Sequence, residues 1–302
     1  MTKAMQQVTV FGGSGFIGRH LVEHLARTGA SVRIAVRHPS QTAEPPRLAR
    51  IQHVTADLLD DAAVQAAIQG ADTVINLVGI LSQTGRQTFT AIHENGAHRV
   101  AATARRLGVR HLVHISALGA SRTAPALADR SKAAGEEAVR TAFPKATIIR
   151  PSLVYGPDDH FFNGFARRAR RLPALPLIGG GQTRFQPAYV EDVVAGVAAI
   201  LADPASRGKT YEFGGLRVYT FRELIEFVCV TINARPLLVP LPFWAAEVLG
   251  GLLQVFPVAP LTRDQVRLLR TDKVVSGSEP TLADLGVEAR ALESIVPEYL
   301  AM

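Results

Sequence analysis

A chain of 302 residues with 47% hydrophobic and 20% charged side chains has the make-up of a globular protein with a sizeable core, which excludes a disordered or fibrous chain. The net charge of +7 suits an acidic partner, a nucleotide or an anionic surface, but no RRM-type aromatic motif, zinc-finger spacing or lysine-rich tail argues for nucleic acid. The single Cys229 rules out an internal disulfide and a cysteine-only metal site, and suits a reducing compartment. The residues before Val8 are too few and too polar for a signal peptide. No apolar run reaches the roughly 18 residues of a transmembrane helix, so a cytoplasmic chain is expected.

The first predicted strand covers residues 8–11 and runs into Gly12-Gly13-Ser14-Gly15-Phe16-Ile17-Gly18, which opens a helix over 16–27. Gly13-x-Gly15-x-x-Gly18 has the G-x-G-x-x-G spacing of a pyrophosphate-binding turn. One glycine lets the chain turn, one lets backbone approach the anion, and one lets the helix pack close to the sheet. Residues 12–18 are therefore expected to hold the pyrophosphate at a helix N-terminus; the alternative is a purely structural turn. The next strand, 31–36, ends at Arg37-His38, where an NAD site places Asp or Glu and a 2′-phosphate calls for Arg. With Arg19 just past the glycines, Arg37 and His38 predict NADP(H) over NAD(H), against the plainer reading of solvated surface arginines.

A strand over 51–55 is followed by Asp57-Leu58, expected against the adenine ring, or else a helix cap at Asp57. A helix over 61–68 stops at Gly70, and a strand over 73–78 brings Val78 and Gly79 to the binding edge, or forms a simple turn there. A helix over 88–107, a strand over 110–116, a helix over 131–142 and a strand over 146–150, with Pro151 next, complete the alternation. That order predicts an α/β fold with a doubly wound parallel sheet.

The glycine pattern, Asp57-Leu58, Asn95 and the Ser116…Lys132 pair resemble the extended and atypical branches of the short-chain dehydrogenase/reductase superfamily. The resemblance implies a Rossmann fold and a Ser-Tyr-Lys site, with Tyr and Lys spaced Tyr-x-x-x-Lys on one helix. It assigns Ser116 to substrate orientation and Lys132 to the nicotinamide ribose. Four residues before Lys132 stands Ala128, and residues 121–131 contain no tyrosine. Tyr155, after the strand over 146–150, is the remaining candidate proton donor; the alternative is packing with a satisfied hydroxyl.

Later segments narrow the resemblance. Pro176 to Gly181, Gln186 to Val193, Leu241-Pro242-Phe243-Trp244, Leu261 to Val266 and Glu293 to Leu300 are similar to bacterial relatives of the nucleotide-binding accessory subunit of respiratory complex I. That resemblance implies tightly held NADPH in a structural role and complex I subunits as partners. Members often keep the tyrosine, so Ala128 is a departure. The apolar segment 243–256 fits either a core helix of a small lobe or an interface, and Arg167-Arg168-Ala169-Arg170-Arg171 either a solvated face or contact with acidic lipid or a subunit. The expected layout is an NADP(H)-binding domain of 1–150 plus 187–214, with 151–186 plus 215–302 as a C-terminal lobe. Three functions follow: a structural or assembly subunit on the cytoplasmic face of the inner membrane, an NADP-dependent reductase or epimerase of a small polar or isoprenoid-like substrate, or a nucleotide-redox sensor. No metal site is expected.

Overall fold

The computed structural model describes residues 6–38, 50–254 and 261–300. In chain order, β1 (Gln7–Phe11), α1 (Phe16–Arg27), β2 (Ser31–Val36), β3 (Ile51–Thr55), α2 (Asp61–Ile68) and β4 (Thr73–Asn76) come first. A π-helical turn (Thr90–Gly96) leads into α3 (Ala97–Arg106), then β5 (His111–Ile115), α4 (Leu127–Ala142) and β6 (Thr147–Pro151). There follow β7 (Val154–Tyr155), α5 (Phe162–Arg171), β8 (Ala174–Ile178), β9 (Arg184–Phe185), β10 (Ala188–Tyr189), α6 (Val190–Ala202) and β11 (Thr210–Phe213). The last elements are β12 (Tyr219–Thr220), α7 (Phe221–Thr231), β13 (Leu237–Leu241), α8 (Phe243–Leu253), α9 (Arg263–Leu268) and α10 (Leu292–Leu300).

The main sheet has seven strands in the order β11-β6-β5-β4-β1-β2-β3. Strands β1 to β6 pair in parallel, with Val8 opposite both Val32 and Thr73. Such strands are covered on both faces and read as continuous apolar runs. Accordingly Val8, Val10, Phe11, Val74, Ile75, Leu112 and Val113 are all buried. Helix α1 forms because Leu21, Val22 and Leu25 share one buried stripe. It ends where Thr28 donates back to the His24 carbonyl and Gly29 takes a positive φ of 96°. Helix α2 starts on the Asp60 carboxylate, which accepts from the Ala62 and Ala63 amides at 2.9 and 3.1 Å.

Three predicted elements differ from the sequence reading by more than a residue at an end or in helix type. The strand expected over 73–78 stops at Asn76, because the Asn76 carboxamide oxygen accepts from the Val78 amide and turns the chain. The helix expected over 88–107 begins with the π-helical turn before its α-helical part. The helix expected over 131–142 begins four residues earlier, at Leu127. Its first amides have a distant cap: Asp264 accepts from Leu127 at 2.6 Å and from Ala128 at 3.0 Å.

The chain divides into two compact units, one of 1–117, 131–150 and 193–211, the other of 118–130, 151–192 and 212–302. Within the first, strand residues Leu112 and Ile148 form a buried cluster with Ile68, Ile92, Val100 and Val139. The second has its own core, in which Tyr155, Phe162, Leu175, Phe185, Phe221, Leu224 and Val296 meet. Its small β-elements are the pairs β7–β10, β9–β12 and β8–β13.

Candidate functional site

Within the first unit the glycine turn follows β1 directly. Gly12 has φ of 79°, and a Cβ there would meet the Leu77 carbonyl carbon and the Val78 nitrogen at 3.1 Å. At Gly18 a Cβ would lie 2.2 Å from the Gly12 carbonyl oxygen and 2.7 Å from the Gly13 Cα. The turn therefore packs backbone on backbone, with Gly15 donating to the Gly12 carbonyl and Arg19 to that of Gly15. Helix α1 starts at Phe16-Ile17 with no capping side chain and no acid in its first turn. Its first N–H groups are thus left to an anion or to water. Ser14 lies in this turn, half-buried.

Arg37 and His38 follow β2 and are exposed, as is Arg19 at the start of α1. Asp57 stands just after β3 and accepts from the Leu59 amide at 2.9 Å, so its carboxylate serves the local turn. Leu58 is buried and lies under Gly96, whose absent Cβ would be 3.1 Å from its own.

The ends of β4 and β5 bring together a polar cluster. Ser116 follows β5, and its hydroxyl is buried with no hydrogen-bond partner among the described residues. Buried hydroxyls are seldom left unpaired, so an orphan here points to a ligand group or water that completes it. The Lys132 ammonium lies 3.5 Å from the Ser116 carbonyl oxygen. A Cβ on Gly79 would lie 3.5 Å from that ammonium and 3.8 Å from His93 Nε2. Three further side chains surround the cluster that no spacing in the sequence signalled: Asn76, His93 and His114. The Asn76 amide donates to His114 Nδ1 at 3.3 Å while its oxygen accepts from Val78. Burial, aided by the Lys132 charge, pushes His93 down to about 3 and His114 to about 4, so both rings are neutral at neutral pH. For Asn76 and His114 the one available signal was a polar residue inside an apolar strand, as in Thr73-Val74-Ile75-Asn76 and His111-Leu112-Val113-His114-Ile115; His93, in the π-helical turn, had none. Asn95, in the π-helical turn, is exposed.

Ala128 lies one turn before Lys132 on α4, and its methyl group is buried. Next to it Asp129 pairs with Lys273 at 2.6 Å, both largely buried within the second unit. Tyr155 belongs to that unit's core. Its hydroxyl donates to the Arg290 carbonyl at 3.3 Å, and its ring packs on Phe162 and Tyr189. Burial and the nearby Asp192 carboxylate raise its phenol well above the ordinary range, which suits packing rather than proton transfer. Pro151 is also buried, and its carbonyl accepts from Leu118. Among the described residues no cluster of His, Cys, Asp or Glu could hold a metal.

A parallel sheet in this order, with a glycine turn between β1 and α1, defines a Rossmann-type α/β protein. The chain belongs to the NAD dependent epimerase/dehydratase family, whose model matches residues 8–214. It is similar to the mitochondrial NADH dehydrogenase [ubiquinone] 1 alpha subcomplex subunit 9 of Arabidopsis thaliana, 35% identical over 97% of this chain and 76% of that protein. It is also similar to the ceramide reductase of Caulobacter vibrioides, 33% identical over 80% of this chain and 75% of that one. The solved Thermus thermophilus UDP-glucose 4-epimerase complex with NAD superposes with a TM-score of 0.73, covering 98% of this chain and 99% of that one, at 21% identity. At that identity the likeness concerns the fold.

Proposed function

We propose that this chain is an accessory subunit of respiratory complex I that binds NADP(H) chiefly as a structural ligand. The observation that carries this reading is Ala128. The tight glycine turn, the orphan Ser116 hydroxyl and the Lys132 ammonium beside it support dinucleotide binding. The α4 position one turn before Lys132, where the short-chain dehydrogenase pattern has its proton donor, holds a buried methyl group. A positioned general acid contributes about 100- to 10,000-fold, and alanine has no proton to give. A ligand that binds only the native state still stabilises it, by about 2.7 kcal/mol at a hundredfold excess over Kd. The similarity to subunit 9 over nearly the whole chain supports the choice of partner. The nicotinamide would supply hydride chemistry in an active relative; here Gly12 to Gly18 would hold the pyrophosphate, and Ser116 and Lys132 the nicotinamide ribose.

Arg37 and Arg19 support NADP(H) over NAD(H), since neither a carboxylate nor any other acid follows β2 at Arg37-His38. Attachment to the complex at the inner membrane has a fitting surface on α8. Trp244, Val248 and Leu252, spaced by four, are 72%, 55% and 65% exposed. The basic residues Arg167, Arg168, Arg170 and Arg171 of α5 are also exposed. An apolar stripe with an exposed tryptophan, and arginines elsewhere in the same unit, suits a peripheral contact with an anionic membrane face. No helix among the described residues is long and apolar enough to cross a membrane.

A second reading, an NADP-dependent reductase of a lipid-like carbonyl, is favoured by the similarity to the Caulobacter enzyme. Stopped-flow and steady-state assays separate the two. Tight NADPH binding without oxidation, in the presence of ceramide-related ketones, supports the subunit. Sustained NADPH oxidation that is lost in Lys132→Ala supports the reductase.

A further inference from the structure

His93 lies in the π-helical turn, 3% exposed, and both of its ring nitrogens are committed. The Ile80 amide donates to Nε2 at 3.0 Å, which leaves the proton on Nδ1, 2.8 Å from the Ser131 hydroxyl oxygen. The ring stacks on Phe89 with centroids 5.5 Å apart and planes 28° apart. The turn itself lies hard against α4: a Cβ on Gly135 would be 1.9 Å from the His93 carbonyl oxygen, so only glycine permits the approach. One imidazole therefore ties three segments together: the turn after β4, the π-helical turn and α4. Ile80 adjoins Gly79, and Ser131 adjoins Lys132. Those two neighbours, the Gly79 backbone and the Lys132 ammonium, face each other at the orphan Ser116. Burial and the Lys132 charge keep the ring neutral, which Nε2 needs in order to accept.

We propose that His93 is a positioning residue for the nicotinamide half of the bound dinucleotide. Its Ile80–His93–Ser131 bridge sets the spacing between the Gly79 backbone and the Lys132 ammonium. The proposal rests on the dinucleotide-binding reading above. It reaches a residue type that the glycine spacing and the Ser116…Lys132 pair do not announce, and it gives the π-helical turn a purpose, since such turns often mark functional sites. The bridge acts through Lys132 and Gly79, so its loss leaves the adenine half of the site untouched.

The test compares two ligands on the full chain: NADPH, and adenosine 2′,5′-bisphosphate, which has no nicotinamide half. Binding is followed by calorimetry for wild type, His93→Ala, His93→Gln, Lys132→Met and the His93→Ala/Lys132→Met double variant. The expected result is an NADPH Kd about tenfold higher in His93→Ala with the bisphosphate Kd unchanged. His93→Gln, which keeps an acceptor toward Ile80, recovers part of the loss. In the double variant the two effects are less than additive, because both act on one contact. Equal weakening of both ligands, full additivity, or no change in NADPH affinity would overturn the proposal. Failure of the wild-type chain to bind either nucleotide would instead overturn the dinucleotide-binding reading. Imidazole nitrogen NMR on the wild-type protein gives a check independent of variant folding: the proposal requires a neutral His93 protonated at Nδ1, and a ring protonated at Nε2 refutes it.

Discussion

Gly18→Ala isolates the close packing of the glycine turn. The added methyl carbon would sit 2.2 Å from the Gly12 carbonyl oxygen, 2.7 Å from the Gly13 Cα and 2.8 Å from the Gly13 carbonyl carbon. All three are backbone atoms, so no rotamer change relieves the overlap, and the turn must move away from α1 by about 1 Å to restore ordinary contact. Alanine's helix preference favours the substitution by about 1 kcal/mol. Over-packing against an immovable neighbour costs about 1–3 kcal/mol and here falls at or above the top of that range. The expected net loss is about 2 kcal/mol, or about 3 °C in Tm for a chain of 302 residues. The same displacement moves the Gly12–Gly13 peptide that would face the pyrophosphate of the proposed dinucleotide, so NADPH affinity should fall at least about tenfold, or about 1.4 kcal/mol. Urea unfolding with and without NADPH measures both terms. Gly164→Ala in α5 is the control, since a Cβ there meets only the Arg168 guanidinium at 3.7 Å; it should be neutral or stabilising. A Gly18→Ala protein as stable as wild type, with unaltered affinity for NADPH, would refute the packing argument.

Acid sensitivity follows from the buried histidines. His93, His111 and His114 are held at about 3, 4 and 4, against 6.5 unfolded, chiefly by burial. Their folded pKa values are depressed, so the unfolded chain binds more protons below pH 6.5 and stability falls from there toward pH 4. At pH 5 each contributes a loss of up to about 2 kcal/mol, visible as a falling urea midpoint; a flat midpoint between pH 7 and 5 would contradict this. Arg150 makes a two-pronged ion pair with Glu136, at 2.9 and 2.7 Å, whose carboxylate side chain is 4% exposed. Arg150→Met strands that charge and should cost about 3–5 kcal/mol of unfolding free energy in the same assay. Arg37→Asp should reverse the nucleotide preference, weakening NADPH by about 1.5–3 kcal/mol in a fluorescence titration while NADH improves. Tighter NADH than NADPH binding by the unaltered protein would contradict the assignment of Arg37.

The elements nearest the N-terminus were legible because their signals are local. Residues 16–27, 31–36, 51–55 and 61–68 carry their own periodicity and glycine stops, and the observed α1, β2, β3 and α2 match them end for end. The start of α4 was not legible, because its cap is Asp264, 137 residues further on. The end of β4 hid in one side-chain bond, from the Val78 amide to Asn76. In the second unit, strands of two residues such as β7, β9, β10 and β12 exist only through their partners and leave no periodic trace. The candidate site divides in the same way. Its glycines and the Ser116…Lys132 pair have fixed spacings, whereas Asn76, His93 and His114 come together only once the parallel sheet has formed.

The most direct test of the subunit reading is co-fractionation. Native membranes are solubilised gently and run on a native gel, which is read by immunodetection of this chain against in-gel NADH dehydrogenase activity. A complex I subunit comigrates with the active band and leaves it when the complex is dissociated, and that is the result expected for this chain. A chain found only as a free species, well resolved from an intact active band, would contradict it.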